Sequence, residues 1–156
     1  MNYITAEGYR RVSAELVALW KVKRPEIVRA ISAAAAEGDR SENAEYIYRK
    51  KELRETDRKI RHLEKHLKDI KVVQDKPKNR NKVFFGARVS LCGESLPGGE
   101  CQYRLVGMIE SRPEVGEISI HSPVAKALLG KELGDEVVIV LPSGEKRLVE
   151  IVEIDY

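Results

Sequence analysis

Cysteine and aromatic side chains are scarce in this chain. Two cysteines, Cys92 and Cys101, stand among 156 residues, too few for a disulfide framework and without zinc-ligand spacing. They flank a Gly/Pro-rich loop and could face each other across a hairpin. Two reduced thiols are the expected state. No apolar run is long enough to span a bilayer, and the first residues lack the basic-then-apolar pattern of an export signal. A soluble cytoplasmic protein with no membrane partner is therefore expected. Aromatic residues make up only 6% of the chain, whereas charged residues make up 34%. The apolar residues are unevenly spread, so a compact core can exist in only part of the chain. The formal net charge is +3, too mild by itself to predict nucleic-acid binding.

Composition shifts sharply at Gln74-Asp75-Lys76-Pro77-Lys78-Asn79-Arg80-Asn81. Pro25 is the one proline before it, whereas glycines, prolines and β-branched runs crowd the part after it. The sequence thus predicts a helical hairpin over 1–75, a linker over 76–81 and a globular domain over 82–156. Thr5 is a helix N-cap with Glu7 in the first turn. Tyr9, Val12, Leu16 and Leu19 recur at three- and four-residue spacing, as coiled-coil positions do. Pro25 interrupts them, which predicts a kink or a fresh helix start. The run Ala33-Ala34-Ala35-Ala36 favours helix and allows close approach, so the hairpin should taper towards a reversal at Gly38. A second helix is predicted over about 40–72, with a seam of Leu53, Thr56, Ile60, Leu63, Leu67 and Ile70.

In the second part, Val83–Leu91 reads as a strand that pairs with Cys101–Val106, and Glu117–His121 as a short strand. Ser122 caps a helix that Pro123 opens and Gly130 ends. A hairpin over 136–154 turns at Pro142–Glu145. The expected class is α+β: an N-terminal antiparallel helical coiled-coil hairpin, followed by a small antiparallel-sheet domain with one helix.

The reversal carries Asp39, Glu42 and Glu45, and two readings compete for them. Asp39 and Glu42 are three residues apart, the spacing of a capping box. The same carboxylates could instead supply part of a metal site. Magnesium takes octahedral oxygen ligands, so two exposed acids would hold it usefully only if another molecule completed the shell. Beyond the reversal, Lys51, Arg54, Arg58, Arg61, Lys65 and Lys68 fall on one helix face, opposite the seam. That face is either merely solvated or a phosphate-binding stripe.

The run from Gly38 to Tyr46 (Gly-Asp-Arg-Ser-Glu-Asn-Ala-Glu-Tyr) with Lys50-Lys51-Glu52-Leu53-Arg54-Glu55 closely resembles the bacterial Gre family of transcript cleavage factors. The similarity continues through Lys82–Ala87, Tyr103–Gly107 and Ile120–Leu129, so it spans nearly the whole chain. Arg40-Ser41, Tyr48 and the basic run after it resemble the branch with the more extended basic patch. The resemblance implies a hairpin that enters the secondary channel of RNA polymerase and stimulates the polymerase's own cleavage of backtracked RNA, so the chain would not itself be the enzyme. By the same resemblance, Asp39 and Glu42 are the metal ligands. They share the polymerase's weakly bound second Mg2+, with no cofactor tightly held by this chain, while Glu45 and Tyr46 support them. Lys50, Lys51, Arg54 and Arg58 contact the nascent RNA 3′ end. His121, Ser122 and Pro123 dock on the channel rim, although the family commonly has an acid or amide where this chain has His121. The second domain should resemble FK506-binding proteins in fold. Phe84, Phe85, Tyr103 and Tyr156 are too few aromatics to line a prolyl-isomerase pocket. A monomer suits a rod that enters a channel.

Overall fold

The computed structural model describes residues 2–38 and 42–156. They form two compact units, Arg10–Ile70 and a second made of Met1–Tyr9 with Lys71–Tyr156. The first residues thus pack with the later unit, whereas the sequence groups them with the hairpin. The reason is a short parallel pair: β1 (Tyr3–Thr5) lies beside β2 (Lys71–Val73), with Ile4 opposite Val72. Three-residue strands are too short to show a period in sequence.

In the helical unit, α1 (Ala6–Ala18) runs into a π-helical segment, Leu19–Lys23, and then into α2 (Arg24–Ala35). The π segment is the chain's answer to Pro25. Proline lacks an N–H and its ring collides with the carbonyl four residues back. Widening the preceding turn, with the Arg24 N–H reaching the Leu19 carbonyl, accommodates the ring while the helical path continues. Helix α3 covers Ala44–Lys68, later at its start and earlier at its end than the sequence predicts. Its partner residues climb as those of the first helix descend. Arg24 Nε meets Asp57 Oδ1 at 2.8 Å and Trp20 Nε1 donates to Glu64 Oε1 at 3.1 Å, so the pair is antiparallel.

The seam buries Val12, Leu19, Ile27 and Ala34 from the first helix, and Thr56, Ile60 and Leu63 from the second. Leu16, Leu53, Leu67 and Ile70 are half-buried along its margins. Tyr9, which the spacing places in the seam, is 40% exposed. It belongs to the stretch that packs with the other unit, beyond the reach of the helix pairing. Lys59 and Glu15 add an ion pair at 2.7 Å.

The globular unit is a five-stranded sheet of order β5-β4-β3-β7-β6. Its strands are β3 (Arg88–Cys92), β4 (Glu100–Val106), β5 (Glu117–Ser119), β6 (Glu136–Val140) and β7 (Lys146–Asp155). Helix α4 (Pro123–Leu128) contributes Val124, Ala125 and Leu128 to a core with Val89, Leu91, Leu105, Ile139 and Ile151. All neighbouring strands are antiparallel except β4 and β5, which run parallel. The strand expected over 83–91 begins only at Arg88. Before it the chain turns at Gly86, where φ is +86°, and this turn is pinned by Tyr156. The Tyr156 hydroxyl donates to the Lys82 carbonyl at 2.5 Å and accepts the Phe84 N–H at 2.7 Å. The cysteines do not face each other: Leu91 pairs with Cys101 and Cys92 with Glu100. Successive strand residues point to opposite faces, so the two thiols lie on opposite faces of the sheet. Both are free.

The same unit holds a buried carboxylate. Glu110 accepts the Thr5 N–H at 2.8 Å, the Thr5 hydroxyl at 2.5 Å and the Gly107 N–H at 2.9 Å. Thr5 Oγ1 in turn accepts the Gly8 N–H at 3.0 Å, as its role as N-cap of α1 requires. A Cβ on Gly8 would strike the Glu110 carboxylate, so glycine is needed there for close approach.

Candidate functional site

The apex of the hairpin is organised by Asn43. Its backbone is extended (φ −79°, ψ 101°), and its Oδ1 accepts the Tyr46 N–H at 3.1 Å, which makes it the N-cap of α3. Its Nδ2 donates to the Ala34 carbonyl at 2.7 Å. One side chain therefore caps the start of the second helix and ties it to the end of the first, at a carbonyl that also accepts the Glu37 N–H at 3.2 Å. The capping box expected from Asp39 and Glu42 is displaced: Asn43 holds the cap position. Asp39, Arg40 and Ser41 lie outside the described residues.

Because another residue caps the helix, Glu42 is spared that task. It lies in the turn ahead of Asn43, it is exposed, and among the described residues no ion pair engages it. Glu45, in the first turn of α3, is engaged: Arg49 Nε contacts its Oε1 at 2.8 Å, and Arg49 also reaches Glu52 at 2.9 Å. Those two acids raise the Arg49 pKa, Glu45 first through its hydrogen bond. Tyr46 is half-buried, with Lys50 Nζ 5.9 Å from its ring centroid. Sequence reasoning passed over Asn43 and Arg49. The signal for Asn43 was its place immediately before an unbroken run of helix-compatible residues.

Among the described residues no three His, Cys, Asp or Glu side chains converge as a metal cage. The apex chemistry fits a divalent ion only as part of a shell: Glu42 offers hard carboxylate oxygens, while Glu45 is drawn towards a guanidinium. From Lys50 onwards the helix is cationic on one face. Lys50, Lys51, Arg54 and Arg58 are all exposed, as are Arg61, Lys65 and Lys68 further along.

In the globular unit, Ser122 Oγ accepts the Ala125 N–H at 3.3 Å and Pro123 opens α4, as the sequence predicts. His121 is exposed, and its N–H donates to Ser119 Oγ at 3.1 Å. Its side chain is presented at the head of a well-pinned turn. Among the described residues no helix is long and apolar enough to cross a membrane.

Comparison with known proteins places these features in a family. The family model described as "Transcription elongation factor, N-terminal" matches residues 2–72, and "Transcription elongation factor, GreA/GreB, C-term" matches residues 76–156. The chain is 53% identical over 154 residues to the transcription elongation factor GreB of Xanthomonas axonopodis pv. citri, covering 98% of this chain and 90% of that one. It is 52% identical to GreB of Pseudomonas aeruginosa, covering 98% and 89%. Among solved structures, the GreA/GreB factor of Nitrosomonas europaea aligns over 99% of this chain and 98% of that one, with 22% identity and a TM-score of 0.45. Gfh1 of Thermus thermophilus aligns over 99% of both chains, with 24% identity and a TM-score of 0.44. Two family models that together span nearly every residue, with relatives at this level of identity, leave one conclusion: the chain belongs to the GreA/GreB family of transcription elongation factors.

Proposed function

We propose that this chain is a cytoplasmic, monomeric transcript cleavage factor. Its hairpin enters the secondary channel of RNA polymerase and stimulates the polymerase's own hydrolysis of backtracked RNA. The observation that carries this reading is the division of labour at the apex. Asn43 holds the helix start and ties it to Ala34, so the exposed Glu42 has no structural duty among the described residues. The 25-residue α3 is about 37 Å long at 1.5 Å per residue, a reach suited to a channel.

In this reading Glu42, with Asp39, lends carboxylate oxygens to a Mg2+ ion that the polymerase holds weakly. The chemistry such an ion would supply there is polarisation of the scissile phosphate and generation of hydroxide from water. Glu42 orients that shell without carrying out the hydrolysis itself. Arg49 fixes Glu45 beside it, and Tyr46 packs behind. Lys50, Lys51, Arg54 and Arg58 hold RNA phosphates through contacts that are sequence-independent and weaken with salt. His121, Ser122 and Pro123 dock the globular unit on the channel rim.

The test is cleavage by stalled, backtracked elongation complexes incubated with the protein and Mg2+, with the RNA sized afterwards. Release of short 3′ fragments is expected, and Glu42→Gln should abolish it while binding to polymerase persists. A factor that suppressed synthesis without releasing fragments would be a channel inhibitor. One without any effect would be a helical nucleic-acid-binding protein only.

A further inference from the structure

A trough runs along the hairpin and shares Lys51 with the basic stripe. Its volume is about 320 Å3, and Leu19, Lys23, Tyr48, Lys51, Thr56 and Lys59 are among its walls. Leu19 and Lys23 bound the π-helical segment, so the turn widened for Pro25 forms one wall. π segments often mark functional positions. From Tyr48 to Lys59 the wall on α3 is about 16 Å long at 1.5 Å per residue.

Tyr48 is the unusual member. It is 57% exposed, although it lies little more than one turn from the start of α3. Arg49 lies 5.6 Å from its ring centroid. Three lysines line the trough and two acids offset them in part. Glu52 is already bound to Arg49 at 2.9 Å, which leaves Glu55 as the acid on that wall that no ion pair among the described residues engages. An exposed aromatic ring followed by spaced cations is the chemistry of single-stranded nucleic acid. Bases stack on the ring whatever their identity, and the cations follow the phosphates.

We infer that this trough is a nucleotide subsite: one base of a single-stranded RNA stacks on Tyr48, and the adjoining phosphates lie along Lys51 and Lys23, while Lys59 is held by Glu15 at 2.7 Å. Lys51 belongs also to the basic stripe, whereas Arg54, Arg58 and Arg61 are not among the trough's walls. The subsite rests on the proposed role in RNA cleavage and adds to it a path for the strand beside the apex. Stacking holds the RNA in register, so Tyr48 is a positioning residue.

Two measurements separate this inference from the reading on which it rests. The first uses the free protein and a single-stranded oligouridylate at low salt, with NMR shifts of the Tyr48 ring and a binding titration. Wild type should bind with shifts centred on Tyr48. Tyr48→Phe should bind equally well, and Tyr48→Ala about 5- to 150-fold more weakly. Equal binding by Ala and Phe variants overturns the inference, as does an absence of binding by wild type. The second uses backtracked complexes with short or long extruded RNA. Tyr48→Ala should slow cleavage of the long form selectively, and Tyr48→Phe should restore it. If wild type binds the oligonucleotide through Tyr48 yet no cleavage is stimulated, the cleavage reading falls and the subsite stands. If cleavage is stimulated and Tyr48→Ala matches wild type on both substrates, the subsite falls and the cleavage reading stands.

Discussion

The Asn43 side-chain amide donates to the Ala34 carbonyl at 2.7 Å while its oxygen accepts the Tyr46 N–H at 3.1 Å. One residue thus links the end of the first helix to the start of the second. Asn43→Ala should destabilise the hairpin by about 1–2 kcal/mol, combining a lost cap with a lost cross-turn bond. Asn43→Asp keeps the acceptor and loses the donor, so it should fall between the two. Urea unfolding followed by helical circular dichroism checks the order.

Glu42 makes the opposite prediction. Since it does not cap α3, Glu42→Gln should change unfolding free energy by less than about 0.5 kcal/mol, as exposed substitutions do. Stimulated cleavage should nevertheless be lost. A large stability change would mean that Glu42 carries structure, and any loss of cleavage could then be indirect.

The Glu110 carboxylate is buried under three donors. Glu110→Ala leaves the Thr5 and Gly107 amides without their acceptor and should cost about 3 kcal/mol. Gly8→Ala should also destabilise, by about 1–3 kcal/mol, because the added methyl meets that carboxylate. Thermal unfolding of the full chain reads both.

Tyr156 gives a pH dependence. Burial raises the Tyr156 pKa, partly offset by its bond from the Phe84 amide. Its folded pKa lies above the unfolded value, so this contribution is complete below about pH 10 and declines as pH rises through the folded pKa. A phenolate also has no proton to donate to the Lys82 carbonyl. Alkaline unfolding curves should therefore steepen above that pH, and Tyr156→Phe should show a smaller alkaline loss. Tyr103 and Cys101, both shifted upwards chiefly by burial, contribute with the same sign. At neutral pH, Tyr156→Phe should cost about 1 kcal/mol through its lost hydrogen bonds.

The helix seam was legible because Leu53, Thr56, Ile60 and Leu63 repeat at a spacing that only a helix uses. The cap of α4 was legible because Ser122 and Pro123 are strong local signals. The apex was less so, since Asp39 and Glu42 fit a capping box as well as Asn43 fits a cap. The choice shown by the described residues involves Ala34, nine positions away in sequence. Pro25 announced a disturbance, but whether the helix would bend, restart or widen depended on packing that the sequence does not display. The parallel pairing of β4 with β5 was hidden for the same reason: three residues, Glu117–Ser119, carry no sign of direction.

The pairing of β1 with β2 bears on how this family could vary. The chain departs from Thr5 and returns at Lys71 on adjacent strands, so the intervening rod is topologically an insertion in the domain that carries it. Adding or removing matched turns from both helices would leave those two attachment points unchanged. Rod length is therefore a property that evolution or engineering can adjust separately from the mount.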